Sequence, residues 1–504
     1  MKVNSSEINK TKASLINIFF NYGTTLVLII NSIFLVPFYL NYMSLSDYGA
    51  WLTAIAAINI VMLIDPGISS VSSQRMSKSF SEDSDKDFQG FFLSSFMLAM
   101  LFSIFTLFIG FMLASYALDL LDYEDQNRIV ELNKAIKIYI VAISLVPIYS
   151  ILSSFLQALL QTFKDNSINF ISIVTSPFVI VIGLMNDLGI VSLALGIFVP
   201  NLIRIILYIP VVLLLWQRYV EERVINFSNS RALLLFKDIK FLYLRKFSSI
   251  TSENIETAVA GIFFSTEIAA FISIIKRLFV AIQMFSTGIA VSTYTSLSHA
   301  FSVNNQSSLR NAIDKTIYSF QLVHLFGTSL ILASVGPLIF IWLKEDLFFD
   351  YSFILMMALN VFLLAKLNLF NTILYTSGDY KSVAYISIVE SLLRISLTYV
   401  LIISLDIYGL PMAGILSSII ALIFIVRLIQ EKSGGNKFEL LYPGTAYELV
   451  IYFFASLVGF YHTAQEGFLQ NSFNIVLVTF VLFCLLIFSK KVRSLGQTIF
   501  NTLK

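Results

Sequence analysis

The sequence has little of what soluble catalysts and secreted scaffolds are built from. It holds one cysteine, Cys484, which excludes a disulfide framework and a cysteine-rich metal site. Its three histidines, His299, His324 and His462, lie far apart, and no metalloenzyme spacing joins them. Charged residues occupy 13% of the 504 positions, against about 25% in soluble domains. No long polar segment interrupts the chain, so a large soluble catalytic domain has no room. The P-loop, the Rossmann glycine pattern and the nucleophile elbow are all absent, which argues against ATP hydrolysis. No basic nucleic-acid-binding pattern is present either, and no cofactor is called for.

What the chain has in abundance is apolar side chains. Hydrophobic residues make up 57% of it, Phe alone fills 47 positions, and the mean hydropathy is +0.83. Such a composition uses lipid as its solvent. A polar start carrying Lys2, Lys10 and Lys12 leads into an apolar run over 14–40. That run is too long for a signal-peptide core and reads as a retained first helix. Further apolar stretches follow at 48–70, 91–117, 135–160, 168–185, 188–216, 247–264, 268–292, 313–341, 351–376, 382–404, 408–429, 447–461 and 473–488. The expected fold is therefore an all-α integral membrane protein of about fourteen transmembrane helices.

Charge asymmetry orients the map, because cytoplasmic segments carry most Lys and Arg. With the N-terminus inside, 24 basic residues fall in inside segments and only Arg128, Lys134, Lys137 and Lys344 fall outside. Both termini are expected in the cytoplasm. The longest inside segment, 217–246, contains RALLLFKDIKFLYLRKF, whose mixture of apolar and basic residues suits an interfacial helix. It separates an N-terminal lobe of six helices (1–216) from a second lobe of six (247–430). Residues 431–504 supply two more helices and a basic tail. A weak internal repeat accompanies this division. Ser46-Asp47-Tyr48-Gly49-Ala50-Trp51 aligns with Thr266-Glu267-Ile268-Ala269-Ala270-Phe271, each at the outer start of the second helix of its half. A repeat of six helices starting inside both times would be parallel.

Ionisable groups in mid-bilayer cost about 2.5–3.5 kcal/mol each and need a reason. Five cations fall within spans: Arg204, Lys276, Arg277, Lys366 and Arg394. Fewer acids do: Glu253, Glu256, Glu390 and, toward the inner end of the second span, Asp65. A wet cavity holding an anionic head group explains such cations, since Arg offers two donors to a phosphate and Lys a point charge. Ion pairing explains them equally well, and Glu390 with Arg394 has the i,i+4 spacing of a local pair. The acids are candidates for a coupling-ion or proton site or for partners to the cations. Pro37, Pro66, Pro147, Pro177, Pro200, Pro210, Pro337 and Pro411 lie in or beside spans and can kink them.

The opening NYGTTLVLIINSIFLVPFYLNYMSLSDYGAWLTAIAAINIVMLIDPGISSV resembles that of O-antigen flippases in the polysaccharide transporter family. Pro37 ending the first helix, Tyr48-Gly49 with Trp51, and Asp65-Pro66-Gly67 follow the family's pattern. The stretch STEIAAFISIIKRL agrees in the second half, although Ala269 and Ala270 stand where glycine is usual. That superfamily also holds multidrug MATE exporters and lipid II flippases. The resemblance implies a V-shaped pair of six-helix lobes around a cationic cavity, with two extra helices. It implies a bacterial inner-membrane flippase that moves undecaprenyl-pyrophosphate-linked oligosaccharide units, such as O-antigen repeats, to the outer leaflet by alternating access. Arg204, Lys276, Arg277, Lys366 and Arg394 would then hold the pyrophosphate. Na+, H+ or the membrane potential would drive the step, alongside polymerase and chain-length partners. A MATE-like drug or cation exporter is the rival within the same fold. A membrane polysaccharide polymerase is the rival enzyme, and the short external loops disfavour it.

Overall fold

A computed structural model describes residues 10–62, 67–82, 84–119, 126–219, 229–302, 306–343 and 350–432. The expected spans at 447–461 and 473–488, and Asp65 with Pro66, lie outside the described residues. Fourteen α-helices and no strand are found among those described. They are α1 (Lys10–Leu40), α2 (Leu45–Met62), α3 (Ile68–Ser81), α4 (Asp85–Asp119), α5 (Gln126–Ser144), α6 (Val146–Ala158) and α7 (Thr162–Met185). The others are α8 (Ile190–Tyr219), α9 (Asn229–Phe263), α10 (Thr266–Ser302), α11 (Gln306–Leu343), α12 (Tyr351–Thr376), α13 (Tyr380–Leu405) and α14 (Gly409–Lys432).

Nine stretches among the described residues are long and apolar enough to cross a membrane, and one of them, Tyr380–Lys432, contains both α13 and α14. The chain is an all-α, multi-pass membrane protein. Its apolar surface agrees: Leu101, Ile104, Phe105 and Phe108 stand well exposed on α4. Hydrocarbon, unlike water, makes such a stripe favourable.

Two expected spans are interrupted. The second divides into α2 and α3, where Gly67 adopts φ 83°, a left-handed conformation that suits glycine. The fourth divides at Leu145, just before Pro147, which brings no N–H and restricts the residue before it. Elsewhere the opposite happens. The second part of the expected linker and nearly all of the seventh span form one helix, the 35-residue α9. No proline occurs in it, and its only glycine, Gly261, stands near its end.

Contacts divide the chain into two compact units. The first comprises Met1–Ile274 and Tyr380–Ile395; the second comprises Ile275–Asp379 and Ser396–Lys504. In the first unit, α9 packs on α2, α3 and α4, α7 packs on α8 and α1, and α5 packs on α8. Its core gathers around Phe155, whose ring lies 4.8 Å from Phe92 and 5.9 Å from Trp216. In the second unit, α12 packs on α14 and α11. The Tyr351 hydroxyl donates to the Leu332 carbonyl at 3.2 Å, and Lys432 pairs with Asp379 at 2.9 Å.

Candidate functional site

Three polar arrangements in the first unit stand out from the apolar helices. The first closes the expected outer ends of α2 and α10. Ser44 and Asp47 cap α2 reciprocally, each side chain accepting from the other's backbone N–H at 3.1–3.2 Å. Ser46 Oγ then meets Thr266 Oγ1 at 2.7 Å. Gly49 lies so close to the Thr266 carbonyl that a side chain there would collide with it. One turn deeper, Gly261 of α9 sits equally tight against the Thr53 hydroxyl. Small residues here let the helix backbones approach closely, as membrane helix pairs require. Asp47 also pairs with Arg128 at 3.4 Å, and Glu131 accepts from the Ile190 N–H at 2.6 Å.

The second arrangement is a buried ion cluster between α9 and α13. Arg394 Nε donates to Glu390 Oε1 at 2.9 Å, and Arg394 Nη1 to Glu256 Oε1 at 3.2 Å. All three side chains are at most 2% exposed. Ser252 Oγ donates to the other Glu390 oxygen at 2.7 Å, and Ser248 Oγ to the Ser387 carbonyl at 2.5 Å. These bonds join α9 to α13 in parallel register. Parallel running agrees with the expected map, in which the seventh and eleventh spans, both odd-numbered, start on the same side. Charge-assisted, multiply bonded pairs of this kind are tolerated at depth where a lone charge is not.

The third arrangement surrounds Arg204, the fifteenth of the 30 residues of α8. Its Nη1 donates to Asn201 Oδ1 at 2.6 Å, and Asn201 is itself fixed by donating to the Ala142 carbonyl at 2.9 Å. The guanidinium rests 4.9 Å from the centre of the Tyr149 ring. Among the described residues no carboxylate lies within ion-pair distance of Arg204, and its Nε has no hydrogen-bond partner. The side chain is half-buried, yet it lies opposite the exposed stripe of Leu202, Ile206, Ile209 and Leu213. At 100° per residue it points away from lipid and into the unit. The nearby acid, Asp165, is already engaged: Ser153, Tyr208 and Gln157 donate to it at 2.6, 2.6 and 3.0 Å.

The second unit holds the other candidate cations. Lys276 and Lys366 are buried and Arg277 is half-buried. The Lys366 ammonium lies 5.6 Å from the centre of the Phe362 ring, and the same ring lies 5.2 Å from His324. His324 is fully buried and stacked on Phe320. Ser286 Oγ lies 3.0 Å from both the Gln283 carbonyl and His324 Nδ1. The other ring nitrogen, Nε2, is buried with no hydrogen-bond partner among the described residues.

The structure thus brings Glu256, Glu390 and Arg394 together and places Arg204 apart from them in the same unit. Lys276, Arg277 and Lys366 belong to the second unit, while Glu253 is exposed and accepts from Ser249 at 3.0 Å. The sequence does not single out Asp165 and its Tyr208 partner, because Asp165 sits in a short polar stretch that reads as a loop between spans. Among the described residues no three His, Cys, Asp or Glu side chains cluster as a metal site would need.

Helices of this length, ionic contacts buried between them and a lipid-facing surface define a polytopic membrane protein. The chain belongs to the polysaccharide biosynthesis protein family, whose sequence model matches residues 14–301. Solved structures show the same fold at low identity. A lipid II flippase, MurJ, in an inward closed conformation matches with a TM-score of 0.64 and 13% identity, over 94% of this chain and 98% of that one. The MATE multidrug transporter DinF-BH matches with a TM-score of 0.62 and 12% identity, over 85% and 98%. An inward-facing multidrug resistance MATE transporter of the MOP superfamily gives 0.61 and 12%, over 82% and 100%. No curated protein sequence matches the chain.

Proposed function

We propose that this protein flips a lipid-linked oligosaccharide bearing a pyrophosphate, of the undecaprenyl type, from the cytoplasmic to the outer leaflet of a bacterial inner membrane. The observation that carries this reading is Arg204. It is a mid-span guanidinium turned away from lipid, held by Asn201 and Tyr149, with no carboxylate partner among the described residues. A cation kept at that depth without a paired acid suits an anionic cargo. Membership of a polysaccharide biosynthesis family supports the same cargo class.

In this reading Arg204 in the first unit and, separately, Lys276, Arg277 and Lys366 in the second offer positive charge to the pyrophosphate as it passes, while the polyprenyl tail stays in lipid. Arg394 works chiefly as the bond between α9 and α13, because two carboxylates already engage it. The Ser46–Thr266 contact is the outer seam that opens when the cargo leaves. An inside-negative potential favours outward movement of anions by about 2.3 kcal/mol per charge per 100 mV, so two charges contribute roughly 5 kcal/mol. Exchange of Na+ or H+ at Glu256 is a second source of drive in the same scheme. The test is a deletion strain. Lipid-linked repeat units should accumulate on the cytoplasmic face and surface glycan should be lost, both restored by the wild-type gene. Normal surface glycan after Arg204, Lys276, Arg277 and Lys366 are all neutralised would sink the proposal.

A further inference from the structure

The first half of α9 carries a surface that the transport reading leaves unused. Leu235, Ile239 and Leu242 pack into the first unit's core, and the opposite face stays open. There Leu233 is 72% exposed, with Leu234 and Phe236 also exposed, interleaved with the exposed Lys237 and Lys240. Lys240 Nζ lies 4.7 Å from the centre of the Phe241 ring. Phe241 meets Tyr385 of α13 edge-on at 6.2 Å, and Lys381 Nζ lies 6.0 Å from the Tyr385 ring. Two ammonium groups therefore flank a pair of touching aromatic rings contributed by two helices. Among the described residues no carboxylate pairs with Lys237, Lys240 or Lys381.

Depth fixes what this surface meets. The α9–α13 seam runs from Phe241 to the buried Glu256, 15 residues along one helix, or roughly 22 Å. With the ion cluster near mid-bilayer, Lys240 falls about 24 Å out along the helix, and tilt of the helix brings it within the headgroup layer, whose outer edge lies at about 20–22 Å. Leucines and phenylalanines among lysines on one helical face are the composition of an interfacial helix, and lysines near an anionic surface each add about 1 kcal/mol of attraction. We infer that Lys240 and Lys381, with Phe241 and Tyr385 between them and Lys237 alongside, form a docking surface for an anionic phospholipid of the linker-side leaflet. The phosphate lies across the ammonium pair, where Phe241 and Tyr385 supply the apolar floor. A lipid seated there spans the upper end of the same α9–α13 seam that Arg394 closes at depth.

The test uses the full chain in nanodiscs of phosphatidylcholine mixed with phosphatidylglycerol, with retained lipid counted by native mass spectrometry. Wild type should retain phosphatidylglycerol in preference to phosphatidylcholine. Lys240→Gln and Lys381→Gln should each weaken that preference about fivefold, the double variant more, and the Lys240→Arg/Lys381→Arg pair should restore it. High salt should weaken it as well. An unchanged preference in the double glutamine variant, with monodisperse protein and unaltered melting temperature, would overturn the inference. Should the double variant misfold, wild-type protein lacking any preference for phosphatidylglycerol overturns it equally. Displacement of phosphatidylglycerol by equimolar undecaprenyl pyrophosphate would also overturn it, since the surface would then belong to the cargo.

Discussion

Removing the charge of Arg394 strands two buried carboxylates, while removing that of Arg204 strands none. Arg394→Gln should therefore lower stability by about 3–5 kcal/mol, read as a large fall in melting temperature in detergent. The triple change to Gln at Glu256, Glu390 and Arg394 should recover much of that loss, because no unpaired charge then remains. Arg204→Gln should leave the melting temperature within about 1 kcal/mol of wild type yet reduce export of lipid-linked units about tenfold or more. Equal loss of stability in both single variants would contradict the division of roles. Asp350 is a third case, outside the spans. Hydrogen bonds from Tyr408, from Ser352 and from the Phe353 N–H at 3.1 Å hold its carboxyl below the usual carboxylate range. Its contribution is thus present above the ordinary carboxylate pKa and lost as pH falls through the depressed one. Asp350→Asn should flatten that acid limb of a melting curve measured against pH.

Among the elements, α2, α9 and α10 form the seam whose opening the proposed cycle needs. Gly261→Val would drive a branched side chain into Thr53 and should cost about 1–3 kcal/mol. A cysteine pair at positions 46 and 266, in a Cys484→Ser background, should cross-link readily, since the native hydroxyls lie 2.7 Å apart. Oxidation should arrest transport and reductant should release it; undiminished export by the oxidised form would show that the seam stays closed throughout. Elements are also where sequence reading meets its limits. Apolar runs mark nearly every span, because hydropathy is a local property. The breaks at Gly67 and Leu145 have signals in Gly67 and Pro147, but Pro37, Pro177, Pro200 and Pro210 lie within helices that continue through them. A proline announces a lost hydrogen bond, and packing around it decides whether the helix stops.

At the scale of the whole chain, the Glu390–Arg394 pair is readable from its i,i+4 spacing, whereas Glu256 is not readable as its third member. Its helix is more than a hundred residues away in sequence, and only the parallel packing of α9 on α13 brings it within 3.2 Å. Likewise Arg204 and Arg394 look alike in a hydropathy plot and differ entirely in surroundings. The expected orientation has its own check: a cysteine at Lys237, in the same Cys484→Ser background, should react with impermeant maleimide only from the cytoplasmic side. One consequence remains in the meeting of Ser46 with Thr266. The two residues stand at matching positions of the six-residue stretches aligned in the sequence, and each brings a hydroxyl to the 2.7 Å contact. Trading the two side chains, Ser46→Thr with Thr266→Ser, keeps both hydroxyls and should pass unnoticed by the cell.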